Sequence, residues 1–238
     1  MNFVFLMDPL ASVKMEKDTT FLLMLGAYRK GHRVYYLPDG GMTLSDGRIH
    51  FHTTEVVPQT IKEGPFILKK ELILTDKQVD CVFIRTDPPF NYKYLMQTWI
   101  LERLRSSVPV INDPQGIRTV NEKIWVAQFT SLIPKTLVGR NRDDLLGFLK
   151  TKKTIVAKPT DGYGGQSVFQ LKHGDLNCHV ILETLTQNYS RDIILQSLVK
   201  EARKGDKRIL LLNGEPLGVV LRVHAKDDHR NNFFSGGI

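Results

Sequence analysis

Apolar and polar positions along this chain fall into two regimes. Residues 2–7 form a continuous apolar run, suited to a parallel strand buried on both faces, and Asp8-Pro9 ends it. Asp18 is placed to cap a helix running to Lys30, with Phe21, Leu22, Leu25 and Tyr28 along one face and Gly31 as its stop. Residues 33–37 supply the next strand, so the chain opens as the βαβ unit of a doubly wound sheet. Residues 39–74 interrupt that rhythm: Asp46-Gly47, between short alternating segments, predicts a hairpin at the sheet edge. A core strand over 79–84, an amphipathic helix over 92–105 and a strand over 108–111 follow, and a first domain closes near Thr119.

Beyond that point the pattern changes. Residues 121–129 predict a connecting helix, 135–138 a strand, and Asn141 caps a helix to Leu149. Strands over 154–158 and 166–171 flank a glycine-rich loop, and three more cover 192–197, 207–212 and 216–223, with Asn213-Gly214 as a tight turn. Hairpins with helices on one side describe an α+β sandwich rather than a second doubly wound sheet.

Composition narrows the function classes. The 238 residues are 42% hydrophobic and 24% charged, ordinary for a globular chain. No apolar run reaches the ~20 residues of a membrane span, and residues 1–7 lack the basic start of a signal peptide. Cys81 and Cys178 have no C-x-x-C spacing and are expected to be reduced thiols of a cytoplasmic protein. The charge is 33 − 25 = +8, but the basic residues are scattered and no aromatic platform interleaves with them. Anionic small molecules are therefore the expected partners, rather than nucleic acid or membrane, and homo-oligomerisation is left open. His50 and His52 alternate without a third ligand nearby, and Ser167 and Ser235 lack a His–acid pairing, which argues against metal and hydrolase chemistry at those positions.

The most informative segment is Val156-Ala157-Lys158-Pro159-Thr160-Asp161-Gly162-Tyr163-Gly164-Gly165-Gln166-Ser167-Val168. A lysine closes a strand, and glycines then let the backbone N–H groups approach an anion. No Gly-Lys-Ser/Thr follows, so this is not a P-loop. Taken alone, the segment is equally a strand–turn–strand with a surface lysine. Likewise Lys207, Arg208 and Arg222 alternate as a solvated sheet face would, Lys123 after Glu122 could be a helix-surface pair, and Arg85 a capping ion pair.

Together with Asn121-Glu122-Lys123, residues 181–186 (ILETLT), Met7-Asp8-Pro9, Arg85-Thr86-Asp87-Pro88-Pro89-Phe90, Asn112-x-Pro114-Gln115, Gly205-Asp206-Lys207-Arg208, Arg230-Asn231-Asn232 and Ser235-Gly236-Gly237, the lysine–glycine segment resembles the prokaryotic glutathione synthetase family of ATP-grasp carboxylate–amine ligases. The resemblance covers essentially the whole chain. It implies an α/β protein with a Rossmann-like pre-ATP-grasp, substrate-binding domain over 1–119. An incomplete α+β ATP-grasp domain over 120–238 would follow, with a lid subdomain about 130–195 and the start of a C-terminal subdomain about 196–238. By the same likeness Lys123 and Lys158 contact ATP phosphates, and Asp161, Gly162, Tyr163, Gly164 and Gly165 form a small loop over them. Gln196, Ser197, Leu198 and Val199 hold adenine, although the family commonly has Tyr-Leu there. Arg208, Arg222 and Arg230 become the catalytic arginines, while Arg85, Asp87, Asp206, Gly236 and Gly237 bind substrate.

The activity implied is ADP-forming ligation of γ-glutamylcysteine and glycine through an acyl phosphate, with residues 223–238 as a mobile lid. The family's Mg²⁺ ligands, including a Glu-x-Asn pair, lie in a region expected beyond Ile238, so no metal ligand is expected within 1–238. Residues 1–238 alone are accordingly expected to be a truncated form that makes no glutathione. Another ATP-grasp ligase, or a non-catalytic remnant, are the alternatives.

Overall fold

The computed structural model describes residues 1–104 and 106–223. The chain divides into two compact units, Met1–Val120 and Asn121–Ile238.

The first unit is built on a seven-stranded mixed sheet. Its elements are β1 (Asn2–Leu6), α1 (Thr19–Arg29), β2 (Arg33–Leu37), β3 (Met42–Ser45), β4 (Arg48–Pro58), β5 (Phe66–Thr75), β6 (Cys81–Ile84), α2 (Tyr92–Glu102), β7 (Val110–Ile111) and α3 (Pro114–Thr119). β1 lies parallel between β2 and β6, and β7 extends the parallel part. Val4, Phe5 and Leu6 are fully buried, as a strand covered on both faces requires. The polar interruption is a three-stranded antiparallel extension, larger than the single hairpin expected. β4 pairs with β3 through its first half and with β2 further on, while β5 runs along nearly its whole length. Asp46 and Gly47 both take positive φ (50° and 76°), the backbone of the tight turn that Asp-Gly favours.

α1 starts where expected: Asp18 Oδ1 accepts the Phe21 N–H at 2.9 Å. Its buried stripe is Phe21, Met24, Leu25 and Ala27, not the Leu22 and Tyr28 of the sequence reading, which are exposed. Leu22 falls one residue off the i, i+3, i+4 spacing, which rotates it out of the packed face.

The second unit has a four-stranded antiparallel sheet of order β10-β9-β11-β8. It comprises β8 (Thr136–Gly139), α4 (Arg142–Lys152), β9 (Thr154–Pro159), β10 (Phe169–Lys172), α5 (Cys178–Thr186) and β11 (Ile193–Ser197). One face packs against both helices in a single core that includes Leu145, Leu149, Ile155, Ala157, Leu182 and Leu195. The helix expected over 121–129 is instead a short 3₁₀ turn, Trp125–Gln128, with no buried residue. Without an apolar stripe to dock, nothing offsets the cost of ordering a longer helix. A separate two-stranded sheet, β12 (Asp206–Leu212) and β13 (Glu215–Arg222), turns at Asn213-Gly214. No helix among the described residues is long and apolar enough to cross a membrane.

Candidate active site

Alternation along the second unit's sheet separates two faces. Register pairs put Thr136 opposite Gln196, Gln196 opposite Val156, and Ile194 opposite Lys158, so these side chains share the face turned away from the helices. There Lys158 Nζ donates to Gln196 Oε1 at 2.7 Å, and Gln196 Nε2 donates to Thr136 Oγ1 at 2.9 Å. The Thr136 hydroxyl in turn donates to the Pro134 carbonyl at 2.7 Å. This chain of contacts across three strands fixes where the Lys158 ammonium stands.

Lys123 joins the same site. Its side chain is 18% exposed, with Glu122 Oε1 at 3.4 Å. Yet its buried Nζ makes no hydrogen bond, because the Glu122 contact lacks the geometry of one. Burial foremost, and then the Lys123 charge, push the Lys158 ammonium below the ordinary lysine pKa. Two neighbouring cations, one with no hydrogen-bond acceptor, form a site prepared for an anion.

A loop follows directly on the strand end that carries Lys158. Gly164 and Gly165 take positive φ (62° and 81°), and Ser167 also does so (55°). A Cβ on Gly162 would stand 2.6 Å from Pro159 Cγ, so the return over the strand end requires glycine. Asp161 is held in an ion pair by Arg191, which the sequence reading did not single out. Arg191 precedes β11, the strand beside β9, and that adjacency was the available signal. Thr136 was also missed, although alternation along β8 would have placed it on the lysine face. Of the proposed adenine segment, Gln196 is committed to Lys158, and Ser197 donates its N–H to the Lys135 carbonyl at 2.9 Å. Leu198 N–H donates to the Thr154 carbonyl at 3.3 Å, and Val199 is exposed before a 3₁₀ turn over Lys200–Lys204.

On the two-stranded sheet, Asp206 and Arg222 are directly paired in register, and the guanidinium grips the carboxylate through two bonds, Nε–Oδ1 at 2.6 Å and a second at 2.8 Å. Arg208 lies on the same face, opposite Val220. Arg230, Gly236 and Gly237, with the expected lid past Val223, lie outside the described residues.

In the first unit, Arg85 and Asp87 follow β6. Arg85 donates to Thr20 Oγ1 and Thr19 Oγ1, both at 2.9 Å, and its N–H binds the Leu6 carbonyl at 2.7 Å. Asp87 N–H donates to Asp8 Oδ2 at 2.8 Å. The carboxyl ends of two adjacent parallel strands thus meet the start of α1, the place where open α/β sheets receive ligands. Partial burial foremost, then the Asp8 and Asp18 charges, raise the Asp87 carboxyl against the lowering effect of Arg85. A cavity of ≈ 440 Å³ between α4 and the start of α5 lies on the helical side of the second sheet, opposite Lys158. Among the described residues no group of three or more His, Cys, Asp or Glu is arranged to hold a metal ion.

Both units match domains of one known family. The prokaryotic glutathione synthetase N-terminal domain matches residues 1–118, and that family's ATP-grasp domain matches residues 122–238. A glutathione synthetase of Vibrio cholerae is 38% identical over 236 residues, covering 97% of this chain and 73% of the relative. That of Escherichia coli K12 is 37% identical, with 97% and 74% covered. The Xanthomonas campestris protein is 39% identical, with 100% and 76% covered. Among solved structures, a RimK domain ATP-grasp protein of Sphaerobacter thermophilus superposes with a TM-score of 0.62 at 14% identity, covering 94% of this chain and 74% of that one. D-cycloserine synthetase DcsG gives 0.60 at 16% identity, covering 93% and 68%. At such low identity these two show the fold alone.

Proposed function

The chain belongs to the prokaryotic glutathione synthetase family, matching its N-terminal domain over residues 1–118 and its ATP-grasp domain over residues 122–238, and on that premise we propose that its residues take part in binding ATP and in joining γ-glutamylcysteine to glycine. The observation that carries this reading is the half-buried pair Lys123 and Lys158, two neighbouring cations of which Lys123 lacks a hydrogen-bond acceptor. A triphosphate would supply the missing acceptor, and negative charge beyond that of the single Glu122 carboxylate.

In the ligation the cysteinyl carboxylate oxygen bonds to the γ-phosphorus as the bond to the bridging oxygen of ADP breaks. The glycine amine nitrogen then bonds to the acyl carbon as the carbon–oxygen bond to phosphate breaks, and the proton the amine sheds passes to the departing phosphate. Lys123 and Lys158 hold the phosphate charge while it redistributes. The loop of Asp161, Gly162, Tyr163, Gly164 and Gly165 covers the phosphates and excludes the water that would hydrolyse the acyl phosphate. Gln196, Ser197, Leu198 and Val199 border the adenine. Asp206 and Arg208 lie on the ribose and peptide side, Arg222 and Arg230 neutralise the reacting carboxylate, and Arg85 and Asp87 seat the peptide. Gly236 and Gly237 close on it. The family implies magnesium beside ATP; no described residue group fits a metal ion, so none is assigned to it. The setting proposed is cytoplasmic, with small-molecule substrates as partners.

Calorimetric titration with a non-hydrolysable ATP analogue tests the nucleotide half. One charge-assisted contact is worth about 1.5–3 kcal/mol, so Lys123→Met is expected to weaken binding by roughly 10–150-fold. Unchanged affinity in that variant would remove the lysine pair from the phosphate site.

A further inference from the structure

A second charged cavity, of ≈ 160 Å³, lies in the first unit past the carboxyl ends of β1 and β6. Its lining includes Asp8, Asp39, Asp87, Thr86, Lys93 and Gln97. Three carboxylates line it against one ammonium, that of Lys93, which is largely exposed and stands 3.4 Å from Asp39 Oδ2. Gln97 is 6% exposed, and its Nε2 donates to Asp39 Oδ1 at 2.9 Å. Gln97 Oε1, however, has no hydrogen-bond partner, and neither does the buried Thr86 Oγ1. An unpaired buried acceptor is a standing cost, relieved only by an incoming donor. The negative field extends beyond the carboxylates themselves: Tyr36 is raised by burial first and by Asp8 second.

An acceptor-rich, net-negative cavity selects a cation that carries several donors and no acceptor. A metal ion does not meet the geometry, because no described group of three carboxylates or imidazoles converges closely enough to hold one. A primary ammonium does: its three N–H donors reach acceptors spread over a wider radius than one coordination sphere. We propose that this cavity, through Asp39, Asp87 and Gln97, recognises the primary ammonium of an amino-acid head group, namely the free α-ammonium of a γ-glutamyl dipeptide. The assignment rests on the ligase reading and adds to it the group by which the dipeptide is told from a deaminated analogue. A γ-linked glutamyl residue keeps both its ammonium and its α-carboxylate free, and Lys93 at the rim supplies a cation for the latter.

Nuclear magnetic resonance on the full chain separates the possibilities. γ-Glutamylcysteine is titrated beside glutarylcysteine, which is identical except that hydrogen replaces the ammonium. The expected result is a saturable shift of the Gln97 side-chain amide with γ-glutamylcysteine and at least tenfold weaker binding of glutarylcysteine. Asp39→Asn, an exposed substitution that leaves the core intact, should also weaken the dipeptide by about tenfold, as loss of a charge-assisted partner does. No shift at Gln97, or equal affinity for the two compounds, would overturn the proposal. A nucleotide analogue is added separately and read at residues 160–165. Failure there with ammonium discrimination intact counts against the ligase reading and leaves the ammonium site standing.

Discussion

A half-buried lysine ammonium beside a second lysine is held at a cost while no anion is present, and that cost gives Lys158 opposite effects on stability and on binding. Its pKa is lowered in the folded chain, by burial and then by Lys123, so folding favours its neutral form. Below the folded pKa the penalty on stability is present in full. It is relieved as pH rises from that value to the ordinary lysine value of 10.5. Nucleotide affinity should run the other way, falling across the same window as the cation is lost. Lys158→Met is therefore expected to leave the ligand-free fold as stable or more so, while weakening nucleotide binding by roughly 10–150-fold. Denaturant melts and calorimetry at several pH values check both signs, and a variant that loses stability and keeps affinity would contradict them. Both lysines stood out in the sequence because each sits in an ordered motif. Their mutual approach was not, nor was the Lys158–Gln196–Thr136 chain, because these depend on register between strands far apart in sequence.

At the level of elements, local signals with a short-range cause were the readable ones. Asn141 Oδ1 accepts the N–H groups of Asp143 and Asp144 at 3.0 and 3.2 Å, as its place before α4 suggests. Asn141→Ala should cost about 0.5–2 kcal/mol in chemical denaturation. Nucleotide affinity should not change, since α4 packs on the face opposite Lys158; a linked loss of ATP binding would contradict that separation. Gly205 is a stricter constraint. It takes φ +112°, and a Cβ there would lie 2.5 Å from the Arg222 carbonyl oxygen, a backbone atom that cannot step aside. Gly205→Ala should destabilise the β12–β13 pairing by about 1–3 kcal/mol, seen as faster amide exchange across Asp206–Leu212. Protection equal to the parent's would show that the close approach does not exist. α5 was not recognised as a helix. Asn177 gives no side-chain cap, and the run of Val180, Ile181 and Leu182 suits a strand as well as a helix. The spacing of Cys178, Leu182 and Leu185, all buried, was the helical signal present in the sequence.

For the whole molecule, the opening βαβ unit was legible because uninterrupted apolar runs are what parallel strands covered on both faces require. The size of the antiparallel extension was not, since β5 alternates weakly and carries exposed Leu68 and Ile73. The ligase activity was legible through ordered motifs spread over both units, and the family matches over residues 1–118 and 122–238 now stand behind it. The most direct measurement places residues 1–238 in exchange for the corresponding part of the Escherichia coli relative, of which the chain covers 74%. The chimera is supplied with ATP, Mg²⁺, γ-glutamylcysteine and glycine, and ADP and glutathione are followed together. The account predicts equal amounts of the two products, with ADP release requiring both the dipeptide and glycine. A chimera that binds ATP yet makes no glutathione, or that releases ADP equally fast with D-alanine or a polyglutamate acceptor, would contradict it.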